Sequence, residues 1–288
     1  MFSTEHVARL FQILLPDIGR YLALIDGLQF EQGEPFLNNL RAEIDSHGAK
    51  WTYERDEVIN EVYVIHRLVD FLSAYSSAWR NICEAKFANS WSGLQSSMDH
   101  LRSVKKFTKV NSTGAIGYFE DQLVELEKLY PYNVFFSIGV SVDCFECSIC
   151  GKDIDSLECE HVKGELYRGK MAHGIAKNVG SVDHVAMVKH PEDKRCVVKY
   201  DDDGPQFNVV RYVSDLLKSK QMRPLSFHHL EFSKKMDKNP DYQKLSRNEK
   251  CFCGSDKKFK NCCIDKHIVE FDHVQIISRN IDPTSIFE

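Results

Sequence analysis

The chain has 288 residues, 43% hydrophobic and 27% charged, so it can bury a real core and is not globally disordered. Its length exceeds one ordinary domain and falls short of three, which points to two domains plus a small module. A net charge of −5 gives no overall attraction to nucleic acid or anionic lipid, so any such binding has to come from a local patch.

The opening, MFSTEHVARLFQILLPDIGR, carries acidic Glu5 ahead of a short apolar core and has no basic leader, which argues against a secretory signal. No apolar run approaches the roughly 18 residues needed to span a membrane. A cytoplasmic location is therefore expected. In reducing surroundings ten cysteines are poor disulfide candidates, and their clustering points to metal.

Residues 1–131 read as a helical domain, with apolar residues at helical spacing and breaks expected at Pro16, at Gly33 to Pro35 and at Gly48. The tract DEVINEVYVIHRLVDFLSAYSSAWRNICEAKF sets Val58, Val62, Ile65, Val69 and Leu72 on one stripe of a long amphipathic helix. A second helix carries Trp91, Leu94, Met98, Leu101 and Val104, with Asn89 or Ser90 expected as its cap. Gln95, Asp99 and Arg102 form its opposite face, expected to be solvated or to bridge helices. A third helix, GYFEDQLVELEKLY, ends before Pro131.

At Tyr132 the composition turns β-branched and aromatic, so residues 132–232 are expected to form a zinc-knuckled mixed α+β domain. YNVFFSIGVSVDC and HVAMVKHPEDKRCVVKY supply its strands. DDDGP is a turn signal leading to a helix near FNVVRYVSDLLKSK. The polar stretch KKMDKNPDYQKLSRNEK then reads as a linker into a small terminal zinc module, within residues 233–288. The fold class expected is α+β.

Within the middle domain, CSICGKDIDSLECEH places Cys147 and Cys150 two residues apart ahead of Gly151, which permits the tight turn of a knuckle. Cys159 and His161 add a second close pair. Three thiolates and an imidazole suit tetrahedral zinc, and four protein ligands leave no open position for a substrate water. Cys144 lies near enough to substitute, but the Cys147–Cys150 spacing fits better.

The stretch KCFCGSDKKFKNCC offers a second ligand set, Cys251, Cys253, Cys262 and Cys263. With Arg247, Asn248, Gly254, Ser255, Lys257, Lys258 and Lys260, this pattern resembles the SEC-C motif, the zinc-binding tail of the bacterial preprotein translocase motor SecA, also found on other bacterial proteins. Cys263 stands where that family often has His, and zinc accepts either. The resemblance implies a second structural Zn2+ and a partner-binding tail, which in the motor is linked to chaperone, ribosome and membrane-surface contacts. It carries over no catalytic residue. A bacterial or phage-related origin follows from it, and a defence or toxin system is the setting expected.

Read from the residues alone, Arg247, Lys257, Lys258 and Lys260 beside Phe259 make a basic patch on a metal-pinned module, able to meet RNA or an acidic protein. Solvated lysines around a stabilising clip are the plain alternative. After Cys263 the chain continues, and Val269, Phe271, Val274 and Ile276 are expected on strands that fold back, making the module docked instead of tethered. Residues 134–196 are similar to a zinc-knuckled β segment of tailed-phage head-maturation proteases. That family's catalytic serine and histidine have no counterpart upstream, where this chain is helical, so a shared β scaffold is what the likeness implies.

Catalytic patterns are scarce. The sequence has no phosphate-binding glycine loop, and Arg102 on the second helix is followed by SVKKFTK, without the histidine of an R-x4-6-H motif. His184, His190, His228, His229 and Glu231 would make a nuclease or hydrolase centre only if they converged. Cys83 and Cys196 are expected to be buried, and Asp201 to Asp203 to form an exposed turn. The sequence therefore favours a zinc-binding adaptor with a protein or RNA partner. A metal-dependent enzyme and an oligomeric structural protein assembled through the long helices stand as alternatives.

Overall fold

Five helices fill the first part of the chain: α1 Glu5–Asp26, α2 Phe30–Lys50, α3 Asp56–Cys83, α4 Phe87–Phe107 and α5 Ala115–Glu127. They are seen in a computed structural model that describes residues 2–108, 114–238, 245–251, 253–264 and 268–287. The breaks expected at Pro16, Pro35 and Gly48 do not occur, because all three residues lie inside helices. An interior proline costs about 3 kcal/mol. Against this, α1 alone buries Val7, Leu10, Phe11, Leu14, Ile18, Leu22 and Ile25, each contributing about 1.5–3 kcal/mol. Packing therefore overrides the local penalty. Gly33 serves that packing: a Cβ there would lie 2.6 Å from the Tyr21 ring.

Two helices are capped from a distance. Thr4, the residue before α1, makes no side-chain cap of its own. Instead Glu61 of α3 accepts hydrogen bonds from the Ser3 and Thr4 amides, at 2.6 and 3.0 Å, and from both hydroxyls. Burial works against ionisation of Glu61, but these hydrogen bonds outweigh it and hold the carboxyl below its usual value. The stabilisation it gives is thus complete above the ordinary carboxylate pKa and is lost as pH falls through the lowered one. Glu61→Gln should cost about 1 kcal/mol at neutral pH and nothing at strongly acid pH. Paired thermal melts at the two pH values check this, and an unchanged difference would remove Glu61 as the source. Helix α4 begins at Phe87, ahead of the expected caps Asn89 and Ser90, and takes its anionic cap from Asp202, whose carboxylate accepts from the Ala88 amide at 2.8 Å. Ser90 is buried and instead meets the Tyr130 hydroxyl at 2.7 Å.

The polar face of α4 bridges elements. Gln95 is buried and donates to Glu127 of α5 at 2.9 Å, while Asp99 pairs with Arg102 at 3.2 Å and with Arg195 at 2.8 Å.

Beyond Tyr132 the strands form two-stranded ribbons, none long enough to make a core by itself. Strand β1 Phe135–Val140 pairs antiparallel with β6 Val182–Val188, β2 Cys144–Cys147 with β5 Gly174–Lys177, and β3 Leu166–Tyr167 with β4 Lys170–Met171. A turn at Pro205–Phe207 leads into α6 Asn208–Lys218, which buries Val210, Val213 and Leu217.

The last pair is β7 Phe227–Lys238 with β8 Ile268–Ser278. Strand β7 therefore takes Lys234 to Lys238 out of the expected linker, and 239–244 lie outside the described residues. Val269, Phe271, Val274 and Ile276 fall on β8 as expected.

The chain divides into two units, Met1–Phe227 with Arg279–Glu288, and His228–Ser278. In chain order the second unit is inserted into the first, entered by β7 and left by β8. The returning segment belongs to the first unit: the Arg279 amide donates to the Ser226 carbonyl at 2.8 Å, and Phe287 meets Phe11 and Phe119 at ring distances of 6.4 and 6.0 Å. Buried Gln122 of α5 ties the Pro224–Phe227 segment to the bundle, donating to the carbonyls of Pro224 and Phe227 at 3.0 and 2.6 Å while accepting from the Tyr75 hydroxyl. No helix among the described residues is long and apolar enough to cross a membrane.

Candidate metal centres

Strand β2 delivers Cys147 to the first centre. The chain then turns so that the Gly151 amide donates to the Cys147 carbonyl at 2.9 Å, with Gly151 at φ +76°, a conformation in which a side chain would be strained. The Cys147 amide closes the knuckle on the Lys152 carbonyl at 2.7 Å. Cys150 and Cys159 bring their sulfurs to 3.7 Å, and Nδ1 of His161 lies 3.9 Å from the Cys159 sulfur. All four donor atoms of Cys147, Cys150, Cys159 and His161 fall within 4.8 Å of one another. A tetrahedral ion with 2.3 Å bonds to sulfur needs donors about 3.8 Å apart, so the spacing fits a metal ion. Sulfurs at these distances are not bonded to one another, and all ten cysteines are free. Cys144 stands opposite Lys177 in the β2–β5 pair, outside the cluster.

What holds this loop is partly invisible in the ligand pattern. The His161 ring stands edge-on to Tyr167 at 4.6 Å, and the Tyr167 hydroxyl accepts from the Val162 amide at 2.8 Å. Asn60 of α3 accepts from the Gly169 amide at 2.7 Å, and Lys106 of α4 donates to the Gly164 carbonyl at 2.6 Å and pairs with Glu165 at 3.1 Å. Arg168 pairs with Asp56 and donates to the Thr52 carbonyl at 3.0 Å. Asn60 and Lys106 read in sequence only as helix surface, and nothing in their local pattern marks them as partners of a loop distant along the chain.

The second centre repeats the device in the inserted unit. Cys251 donates its amide to the Lys257 carbonyl at 2.7 Å, and Gly254 after Cys253 sits at φ +79°. Sulfur separations are 3.5 Å for Cys253–Cys262 and 3.6 Å for Cys262–Cys263, and the Ser255 hydroxyl is 3.0 Å from the Cys262 sulfur. The donors of Cys251, Cys253, Cys262 and Cys263 lie within 4.8 Å of one another. Here too the spacing suits a tetrahedral ion. Phe259 is buried and its carbonyl accepts from the amides of Cys262, Cys263 and Ile264, so its ring is part of the module's small interior. The expectation that Phe259 stands beside the lysines as an accessible ring is not met: a module this short has few apolar groups to bury and uses this one.

The thiols titrate unequally. The Ser255 hydroxyl, aided by Cys251, draws Cys253 down to about 6, while burial and then the neighbouring thiols push Cys263 up to about 12. In the first centre burial opposes ionisation of Cys147, but the Cys150 and Ile149 amides outweigh it and keep the thiol low. Each knuckle thus has one sulfur whose surroundings favour the thiolate, the form that binds metal.

The histidines of the alternative reading stay outside both clusters. Among the described residues the only groups of three or more converging donors are the two cysteine clusters, and neither contains His184, His190, His228, His229 or Glu231. On strand β7 the His228 and His229 rings stand edge to face at 5.1 Å and His229 lies 3.7 Å from Glu231, yet these three do not bring their donor atoms together as the cysteine clusters do. Cys196 is exposed, contrary to expectation, because the segment after β6 is irregular and lies at the surface. Cys83 is half-buried, and burial raises its pKa to about 11, leaving it unreactive. Asp201 to Asp203 do form a turn, with Asp202 serving as the cap of α4.

No curated protein and no solved structure matches the chain. The family model of the SEC-C motif matches residues 247–264, so the second cysteine cluster, with its flanking Arg247 and lysines, is a SEC-C motif.

Proposed function

We propose that this chain is an adaptor in which two structural Zn2+ ions, one in each cluster, hold loops that lack a core of their own, and that the inserted module presents a basic surface to a protein or RNA partner in the cytoplasm. One observation carries this reading: each cluster supplies four converging side-chain donors, which completes a tetrahedral shell and leaves no site for a substrate water. The metal then supplies rigidity and no reaction chemistry. The nuclease or hydrolase alternative needs an open metal position, and the described histidines do not assemble one.

Arg247, Lys257, Lys258 and Lys260 are exposed around the second cluster, beside an exposed Glu249 and the exposed pair of Lys250 with Asp256 at 2.8 Å. With Phe259 buried, stacking on a base is unsupported, and recognition rests on charge toward phosphate or carboxylate groups. The test is affinity capture and binding titration with the intact chain and with Lys257→Glu, Lys258→Glu and Lys260→Glu combined. The reversed variant should keep its zinc and lose its partner by tenfold or more. If the partner is RNA, three phosphate contacts give a slope of about −2 in log affinity against log salt. An unchanged affinity in the reversed variant would show the lysines to be solvated charge and no more.

A further inference from the structure

Among the described residues, one face of the β1–β6 ribbon of the first unit is left largely exposed. Directly opposed residues of an antiparallel pair share a face, and the register pairs Phe136 with Met187, Ile138 with Val185, and Val140 with Val182. The irregularity between Gly139 and Val140 places Asp183 as the extra residue, and so keeps Val182 in phase with the rest. Every position on this face is apolar. Met187 is 75% exposed, Ile138 and Val185 61% each, Val182 58% and Val140 42%. A flat apolar sheet face left in water is costly, and a soluble protein seldom shows one without a use for it.

We infer that this face is a homodimer contact, in which two copies of the chain pack ribbon on ribbon about a two-fold axis. The paired positions carry no charge, Asp183 alone standing beside Val182 at the end of the face, and an apolar surface of this kind is its own complement under a two-fold. Area decides how strong the contact is. The exposed fractions amount to about three whole side chains, or about 200–350 Å² of apolar surface per copy at the usual transfer coefficient. At the roughly 65% apolar content of homodimer interfaces, two copies then bury about 600–1,100 Å² in all. Only the top of that range reaches the roughly 1,000 Å² at which a specific interface begins, so the contact belongs with weak, transient ones. The dimer is therefore reversible, with a dissociation constant in the micromolar range. The face is the contact and the open edge of β6 is not, because the extra residue Asp183 interrupts the ladder that an added strand would need.

Sedimentation equilibrium of the zinc-loaded full chain, from low micromolar to near-millimolar concentration, tests this. The native chain should pass from monomer to dimer, and Val185→Glu should stay monomeric over the whole range with unchanged zinc content and helical circular dichroism. Glu57→Lys, at an exposed position of α3, should dimerise like the native chain. As a check free of substitutions, hydrogen exchange of the native chain should slow with concentration in 135–140 and 182–188. A monomer at every concentration, a dimer that survives Val185→Glu, or protection that maps to α3 and α4 would each overturn the inference.

Discussion

Stripping the metal from the inserted unit should unfold residues 245–264 and leave the helices standing. Structural zinc in modules of this size contributes on the order of 10 kcal/mol of folding free energy. Against that, the second cluster can set only two buried apolar side chains among its described residues, Cys251 and Phe259. With a chelator present, amide exchange through 245–264 should rise to the rate of an unstructured chain, while α1 to α5, whose cores do not involve a metal, keep their protection. Cys253→Ala should do the same to the second centre alone and lower the zinc content by one equivalent; Cys150→Ala should lower it by one from the first. The two centres should respond differently to losing their ion. The first loop retains its hydrogen bonds to Asn60, Lys106 and Thr52, so metal loss there loosens 144–163 without freeing 164–171 from the helices. Full exchange protection of 245–264 in metal-free protein would show that the cysteines are not what holds the module.

Gln122→Leu is the substitution in the helical unit with the largest expected cost. It keeps the volume of the side chain nearly constant but leaves the Tyr75 hydroxyl and the carbonyls of Pro224 and Phe227 without this partner inside the protein. Each buried polar group left unsatisfied costs about 1–3 kcal/mol, so a total of about 3–5 kcal/mol is expected, or a fall of about 10 °C in melting temperature. The exposed neighbour Val124→Ala should change neither measurably. A Gln122→Leu protein with native stability would mean that water, and not Gln122, satisfies those groups.

The cysteine spacing made both clusters legible because a metal site is nearly local: a knuckle, a turn and a second pair within about fifteen residues, each constrained by short-range geometry. The long helices were legible for the same reason, since the stripe from Val58 to Leu72 is a property of one segment. Their ends were not. Whether Pro16 breaks a helix depends on how much apolar surface α1 buries against its neighbours, and whether Asn89 caps one depends on Asp202 arriving from elsewhere. Phe259 shows the same limit at the site itself, because an aromatic among lysines looks alike in sequence whether it faces solvent or fills a miniature interior. The histidines required convergence in space, which spacing along the chain cannot supply.

The insertion of the second unit between Phe227 and Arg279 makes the SEC-C motif unlike a removable tag. A stop codon placed just after the cluster would also delete the segment that brings Phe287 to Phe11 and Phe119, so a truncation meant to silence recruitment would injure the bundle as well. A protease that nicks the inserted unit once would release nothing, since both fragments keep a grip on the same helices. Only a pair of cuts, or an internal excision that rejoins β7 to β8, separates the module from what the bundle needs to stay folded.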